Sequence, residues 1–222
     1  MSSSKDRPHL HFCRIGERHV FLDVERDRYF GLPNPLDVAF RKLVEGDRCE
    51  AYEARALVAA GIASHDDRGA LMCAARELTY DWPTSEVGRT SDAGTATLGS
   101  VSRALCTRLA WQHRTRSRAL LENLQSLAQA RARLNNTGAA PDVLPSVARA
   151  WRASEAIHSA QGRCLPNAMA LMSALTRAGV VSRLVFAVRL APFSAHCWID
   201  QGRHLVCEEL DHARSYTPIL VW

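Results

Sequence analysis

The stretch GRCLPNAMALMSALTRAGV, residues 162–180, decides the fold of the C-terminal half of the chain. Met169, Leu171, Met172 and Leu175 make it apolar on more than one face, which predicts a buried helix. Gly179 stands at the expected C′ position, and Pro166 fits only a first helical turn, where its missing N–H is no loss. The helix therefore starts close to Cys164. A cysteine in that turn sits at the positive end of the backbone dipole, which stabilises thiolate and makes a nucleophile at neutral pH. The plain alternative is a small buried hydrophobe, so a catalytic role needs a histidine and a carboxylate delivered from elsewhere.

The segments that follow supply both. VSRLVFAVRL, SAHCWID and HLVCEEL read as three strands, separated by Pro192 and by Gln201-Gly202-Arg203. His196, Trp198 and Asp200 share one face of the middle strand, and His196 lies on a sheet that is expected to pack against the apolar Cys164 helix, making a Cys–His ion pair available. If Gln201–Arg203 form a three-residue hairpin loop, Asp200 pairs with His204, Trp198 with Val206 and His196 with Glu208. Directly opposed Cβ atoms lie about 4.5–5.5 Å apart, within reach of an imidazole–carboxylate hydrogen bond. Asp200 shares the face but lies about 13 Å along the strand from His196, so Glu208 is the expected third member. A two-residue loop would turn Glu208 to the other face.

With 222 residues, 47% of them hydrophobic, the chain has ample material for a packed core in one domain or two. The N-terminus MSSSKDRPHL lacks the apolar core of a signal peptide, and no apolar run approaches the roughly 18 residues needed to span a bilayer; a cytoplasmic location is the expectation. Seven cysteines without a C-x-x-C pair read as reduced thiols. The net charge of +5 conceals a basic middle, residues 88–163, with eleven arginines and four acids. A solvated helical surface accounts for that run better than a nucleic-acid partner does.

The N-terminal part reads as LHFCRI, RHVFLDV and DRYFGL, three short antiparallel strands, followed by two short helices. PNPLDVAFRKLVEG places Leu36, Phe40, Leu43 and Val44 on one helical face and stops at Gly46; EAYEARALVAAG places Tyr52, Ala56 and Leu57 likewise and stops at Gly61. Strands then helices make a small winged-helix-like unit. Residues 81–98, rich in Ser, Thr, Gly and Pro, read as a linker between a domain at 1–80 and one at 99–222. Beyond it lie one or two helices striped by Leu105, Leu109, Leu120, Leu124 and Leu127, then LPSVARAWRASEAI. Helices first and antiparallel strands after make the second domain α+β.

RCLPNAMALMSALTRAGVVSRLVFAVRLAPFSAHCWIDQGRHLVCEEL resembles the core of the lasso-peptide B proteins, leader peptidases with a transglutaminase-like, papain-like cysteine-protease fold. The carrying features are Cys-Leu at a helix start, a basic turn, an L-V-x-x-V-R strand and P-F-x-A-H-x-W-I-D. The resemblance places the family's nucleophile on Cys164 and its base on His196. Its third residue, usually aspartate on the following strand, falls on Glu208, one methylene longer. VFLDVERDRYFGLPNPLDVAFRKLVEG is similar to the PqqD-related precursor-recognition element, in which a leader peptide adds as a strand to the three-stranded sheet and lies against the last helix. That implies leader contacts at Asp27, Arg28, Tyr29, Phe30 and Leu57. The implied partners are a ribosomal precursor peptide and an asparagine-synthetase-like lasso cyclase, with no nucleic acid and no membrane.

In such a site the Cys164 thiolate attacks the last leader carbonyl, His196 protonates the departing amine, and water hydrolyses the acyl-enzyme. The oxyanion hole is expected to use the Cys164 backbone N–H, with Gln161 as a side-chain candidate. No cofactor is expected, and no G-x-x-x-x-G-K is present. Cys197, His204, Cys207 and His212 offer ligand types for zinc, but Cys197 and His196 face opposite ways and no pair has finger spacing. Cys197 and Cys207 are therefore expected to be dispensable. A leader-binding scaffold with a dead protease domain and a DNA-binding winged helix are the rival classes.

Overall fold

In the computed structural model, which describes residues 9–88, 95–134, 140–157 and 162–222, the first strands form where period-two alternation places them. Strands β1 (Leu10–Ile15), β2 (Arg18–Asp23) and β3 (Arg28–Gly31) make an antiparallel meander that sets Phe12 opposite Phe21 and Phe21 opposite Phe30. Phe40 of α1 (Asn34–Glu45) lands on that face, its ring centroid 5.0 Å from Phe12 and 4.9 Å from Phe21. Asp37 of α1 is buried. It accepts from His19 Nδ1 at 2.9 Å and from the His19 backbone N–H at 3.2 Å, which pins the helix to β2. Gly46, at φ 80°, ends α1 in the left-handed region.

Helix α2 (Ala51–Ala59) opens with a reciprocal capping box between Glu50 and Glu53. Leu57 is wholly buried, whereas Tyr52, expected on the same apolar face, is 68% exposed. The unit does not stop after its helices. Strands β4 (Ala63–His65) and β5 (Leu71–Cys73) form a two-stranded ladder, and β6 (Arg76–Glu77) adds in parallel beside β1, giving the order β3-β2-β1-β6. This first unit covers residues 1–79 and the second covers 80–222.

The second unit is α+β, with a five-stranded sheet ordered β11-β8-β9-β10-β7. Its strands are β7 (Ser85–Val87), β8 (Arg183–Leu190), β9 (Phe193–Gln201), β10 (His204–Val206) and β11 (Thr217–Val221). The segment expected to be a linker therefore belongs to this unit at its start. Strand β7 pairs in parallel with β10, and Tyr80 and Trp82 pack on Trp198. The Ser, Thr, Pro and Gly content that suggested a linker is what a short edge strand and tight turn also use. Gly88, at φ 86°, leaves β7 where a Cβ would lie 2.8 Å from the Ala148 Cβ and 3.0 Å from the Cys207 sulfur. Residues 89–94 lie outside the described residues.

Helices α3 (Leu98–Ser117), α4 (Leu120–Ala132), α5 (Val143–Glu155) and α6 (Cys164–Arg177) precede the main strands. Leu120, Leu124 and Leu127 are buried as the stripe predicts. In α3 the buried stripe is instead Ala104, Thr107, Arg108 and Trp111, and Leu109 is 53% exposed. Arg108 is buried in place of the leucines with both terminal guanidinium nitrogens bonded, while its Nε has no partner among the described residues. It donates to Asn167 Oδ1 at 2.9 Å, the Trp151 carbonyl at 3.2 Å and Glu155 Oε1 at 3.3 Å, and stacks 4.1 Å from the Trp151 ring. Helix α7 (Leu210–Arg214) follows β10. Among the described residues no helix is long and apolar enough to cross a membrane.

Candidate active site

Helix α6 begins at Cys164, after Arg163 at φ −133°, and the Asn167 N–H returns to the Arg163 carbonyl at 3.1 Å. Gly179, at φ 80°, follows its C-terminal end, as Val180 N–H bonds the Leu175 carbonyl at 2.9 Å. Cys164 thus occupies the first turn. Ala168 and Leu171, on its stripe of α6, line one cavity with Cys197, Ile199 and Val206. The helix packs against the sheet as expected, with these residues meeting it on the Cys197 face. The His196 face carries Trp198 and Asp200 and is covered by Tyr80, Trp82, Leu210 and Ala213.

His196 nevertheless reaches the thiol, because β10 pairs only with Ile199, Asp200 and Gln201. Beyond that ladder, on the side of β9 away from β8, no strand lies beside 196–198 among the described residues, and Cys164 takes the Cys197 backbone N–H there. The Cys164 sulfur also receives hydrogen bonds from the Cys197 thiol and from His196. These effects set its charge. Cys164 is brought down to about 4, most by the Cys197 thiol, against burial, and further by the bond and charge of His196.

Glu208 is the carboxylate that meets His196, by a different route from the one expected. The β9–β10 loop has two residues, with Gln201 opposite His204 and Ile199 opposite Val206. That register would turn Glu208 away, but β10 stops at Val206 and Cys207 takes φ 57°, which swings Glu208 back. Glu208 Oε2 accepts from His196 Nε2 at 2.9 Å, leaving Nδ1 for the sulfur. Burial alone would depress His196; the hydrogen bonds and charges of Cys164 and Glu208 raise it to about 9. Burial alone would raise Glu208, and its bonds from His196, His212 and the Glu209 N–H bring it to about 2. At neutral pH the group is a thiolate, an imidazolium and a carboxylate in contact.

The sequence profile described as Transglutaminase-like superfamily matches residues 103–221, more than half of the chain. The chain belongs to that superfamily. No curated protein and no solved structure matches it. The transglutaminase-like domain carries Cys164, His196 and Glu208 together, an arrangement compatible with a cysteine-protease type of chemistry.

Other residues fall elsewhere in or beyond this domain. Asp200 is wholly buried and committed to the fold, bound by Arg183 at 2.6 and 3.0 Å and by the Tyr80 hydroxyl at 2.8 Å. Gln161 lies outside the described residues. The zinc set does not assemble: His204 Nδ1 pairs with Ser85 Oγ at 2.7 Å, and the Cys207 thiol, pushed to about 12 by burial, points at the Ala148 carbonyl. Among the described residues the metal-type grouping is His196, Glu208 and His212, with ligand atoms within 4.8 Å of one another. Hydrogen bonds of 2.9 Å already join these atoms, with the protons that a cation would have to displace.

In the first unit Arg28, Tyr29 and Phe30 lie on β3, an edge strand, after the turn at Asp27, φ 48°. Phe30 stacks on Phe21 at 5.1 Å, and the Arg28 guanidinium lies 5.1 Å from the Phe30 centroid. Leu57 is corrected: with no exposed surface in the core beside Phe40 and Ile62, it presents nothing to a peptide. Two residues of the site were missed. Cys197 points away from His196, as alternation predicts, yet its thiol acts on Cys164 and lowers the Cys164 pKa, a contribution the sequence reading did not include. His212, four residues after Glu208, carried a readable i,i+4 signal.

Proposed function

We propose that this protein is a leader peptidase of lasso-peptide biosynthesis, which captures the leader of a ribosomal precursor and hydrolyses the leader–core bond. The observation that carries the chemistry is His196 held between Cys164 at the start of α6 and Glu208 at 2.9 Å. The lasso-peptide assignment rests on the P-F-S-A-H-C-W-I-D run and the Cys-Leu helix start. Capture rests on β3, whose outer edge suits strand addition by an extended peptide.

The Cys164 thiolate attacks the carbonyl carbon of the last leader residue, and its oxygen becomes an oxyanion met by the Cys164 backbone N–H. His196, protonated at rest, gives a proton to the leaving amine, which departs as the core N-terminus. Neutral His196 then takes a proton from water, which attacks the thioester and releases the leader carboxylate. Glu208 stabilises the imidazolium throughout without accepting its proton, in keeping with its low pKa. The freed amine is the substrate a partner cyclase needs, and the cytoplasm is the compartment that keeps the thiols reduced.

Incubation with a synthetic precursor tests this directly. The expected products are one leader fragment ending in a free carboxylate and one intact core. A chain that binds leader without cutting it would be a scaffold, and one that ignores leader but binds duplex DNA would overturn the assignment.

A further inference from the structure

We infer that His212 is a positioning residue of this site, holding the Glu208 carboxylate so that Oε2 stays on His196. The inference deepens the peptidase reading and rests on it for the roles of Cys164 and His196. His212 is the third residue of the five-residue helix α7, four residues beyond Glu208. Its Nδ1–H donates to Glu208 Oε1 at 2.9 Å while His196 Nε2–H donates to Oε2 at 2.9 Å, so the two imidazoles hold the two oxygens of one carboxylate. The rings meet edge to face at 4.9 Å, and Tyr216 closes the cluster at 5.2 Å from His196 and 5.5 Å from His212.

A glutamate has one more side-chain torsion than an aspartate, and the Glu208 side chain keeps 20% of its surface exposed. Left alone it would visit rotamers in which Oε2 leaves His196, at an entropic cost each time the bond re-forms. The Glu209 N–H, 3.1 Å from Oε1, restrains the same oxygen from the backbone side. His212 supplies the side-chain restraint. The groups packed on His212 are Glu208, His196 and Tyr216, with Arg189 stacked on the Tyr216 ring at 4.9 Å; Glu209 and Asp211 are its acidic neighbours along the chain, and Glu208 is the carboxylate bonded to its Nδ1.

The test reads the Cys164 thiolate and needs no peptide substrate: iodoacetamide alkylation of Cys164 against pH, followed by mass spectrometry, on the full chain. Positioning predicts that His212→Ala moves the thiolate midpoint upward by roughly 0.4–1 pH unit, the worth of one hydrogen bond. His212→Asn, which keeps an N–H near the place of Nδ1, should restore most of the shift. In a Glu208→Gln background His212→Ala should add nothing, because His212 acts only through the carboxylate. A downward shift in His212→Ala would mean that His212 competes for the charge of Glu208, and would overturn the inference. So would an unchanged profile, or an equal shift in the Glu208→Gln background. A precursor left uncut by a chain that shows the expected shifts would remove the leader-peptidase reading and leave the role of His212 standing.

Discussion

At the scale of single residues, Glu208 and Asp200 are two carboxylates of one hairpin with opposite assignments. Glu208 is bonded by two imidazoles beside the thiolate; Asp200 is wholly buried and bonded by Arg183 and Tyr80. Glu208→Gln should leave the fold intact and lower kcat by roughly ten- to a thousandfold, since it removes the charge that stabilises the imidazolium. Asp200→Asn should lower unfolding free energy by about 2–4 kcal/mol in urea titration, because it leaves a guanidinium facing a neutral group. Fluorescence-monitored unfolding beside the assay separates the two effects. Charge also fixes the pH range. The thiolate is lost as pH falls through about 4 and the imidazolium as pH rises through about 9, so turnover should be flat between those limits and fall on both sides. A fall on the acid side centred near an ordinary imidazole pKa would contradict the ion pair. Cys197→Ala should move the acid limb upward, and Cys197→Ser, which keeps a donor, should move it less.

At the scale of elements, the path from β9 to α7 builds the site, and here the sequence was legible in part. The helix from Cys164 to Gly179, the strand bearing His196 and the choice of Glu208 follow from periodicity, Pro166, Gly179 and reach. The register does not. A two-residue loop and a three-residue loop differ by one residue in a Gly-Arg turn, and nothing in QGR chooses between them. Glu208 returns to His196 through the left-handed Cys207, a conformation that is uncommon for a non-glycine residue and has no signature in composition. The face that α6 covers has no signal of its own, because β9 is buried along both faces from Cys197 to Asp200 and so gives no alternation to read. Arg108 escaped for a similar reason: in a run of eleven arginines it read as solvated surface, while its partners Asn167 and Glu155 stand on other helices. Arg108→Lys, which loses the planar fork and the stack on Trp151, should destabilise the second unit by about 2–4 kcal/mol, measured by denaturant titration.

At the scale of the molecule, each unit has its own core: Phe12, Phe21, Phe40, Leu57 and Ile62 in the first, Val185, Trp198, Leu205 and Tyr216 among others in the second. Capture and chemistry are assigned to different units, so a fragment of residues 1–79 should bind a leader peptide by titration and cut nothing. Lysine or proline placed on β3 at Tyr29 should weaken that binding, since strand addition needs the edge backbone. The central claim is that Cys164 cleaves the leader from its precursor. Full-length protein and its Cys164→Ala variant, each incubated with the same precursor and followed by mass spectrometry, test it most directly. The account predicts a single leader–core cut by the first and an intact, still-bound precursor with the second. Cleavage that survives Cys164→Ala, or a precursor untouched by a wild-type chain whose Cys164 alkylates rapidly at neutral pH, would contradict it.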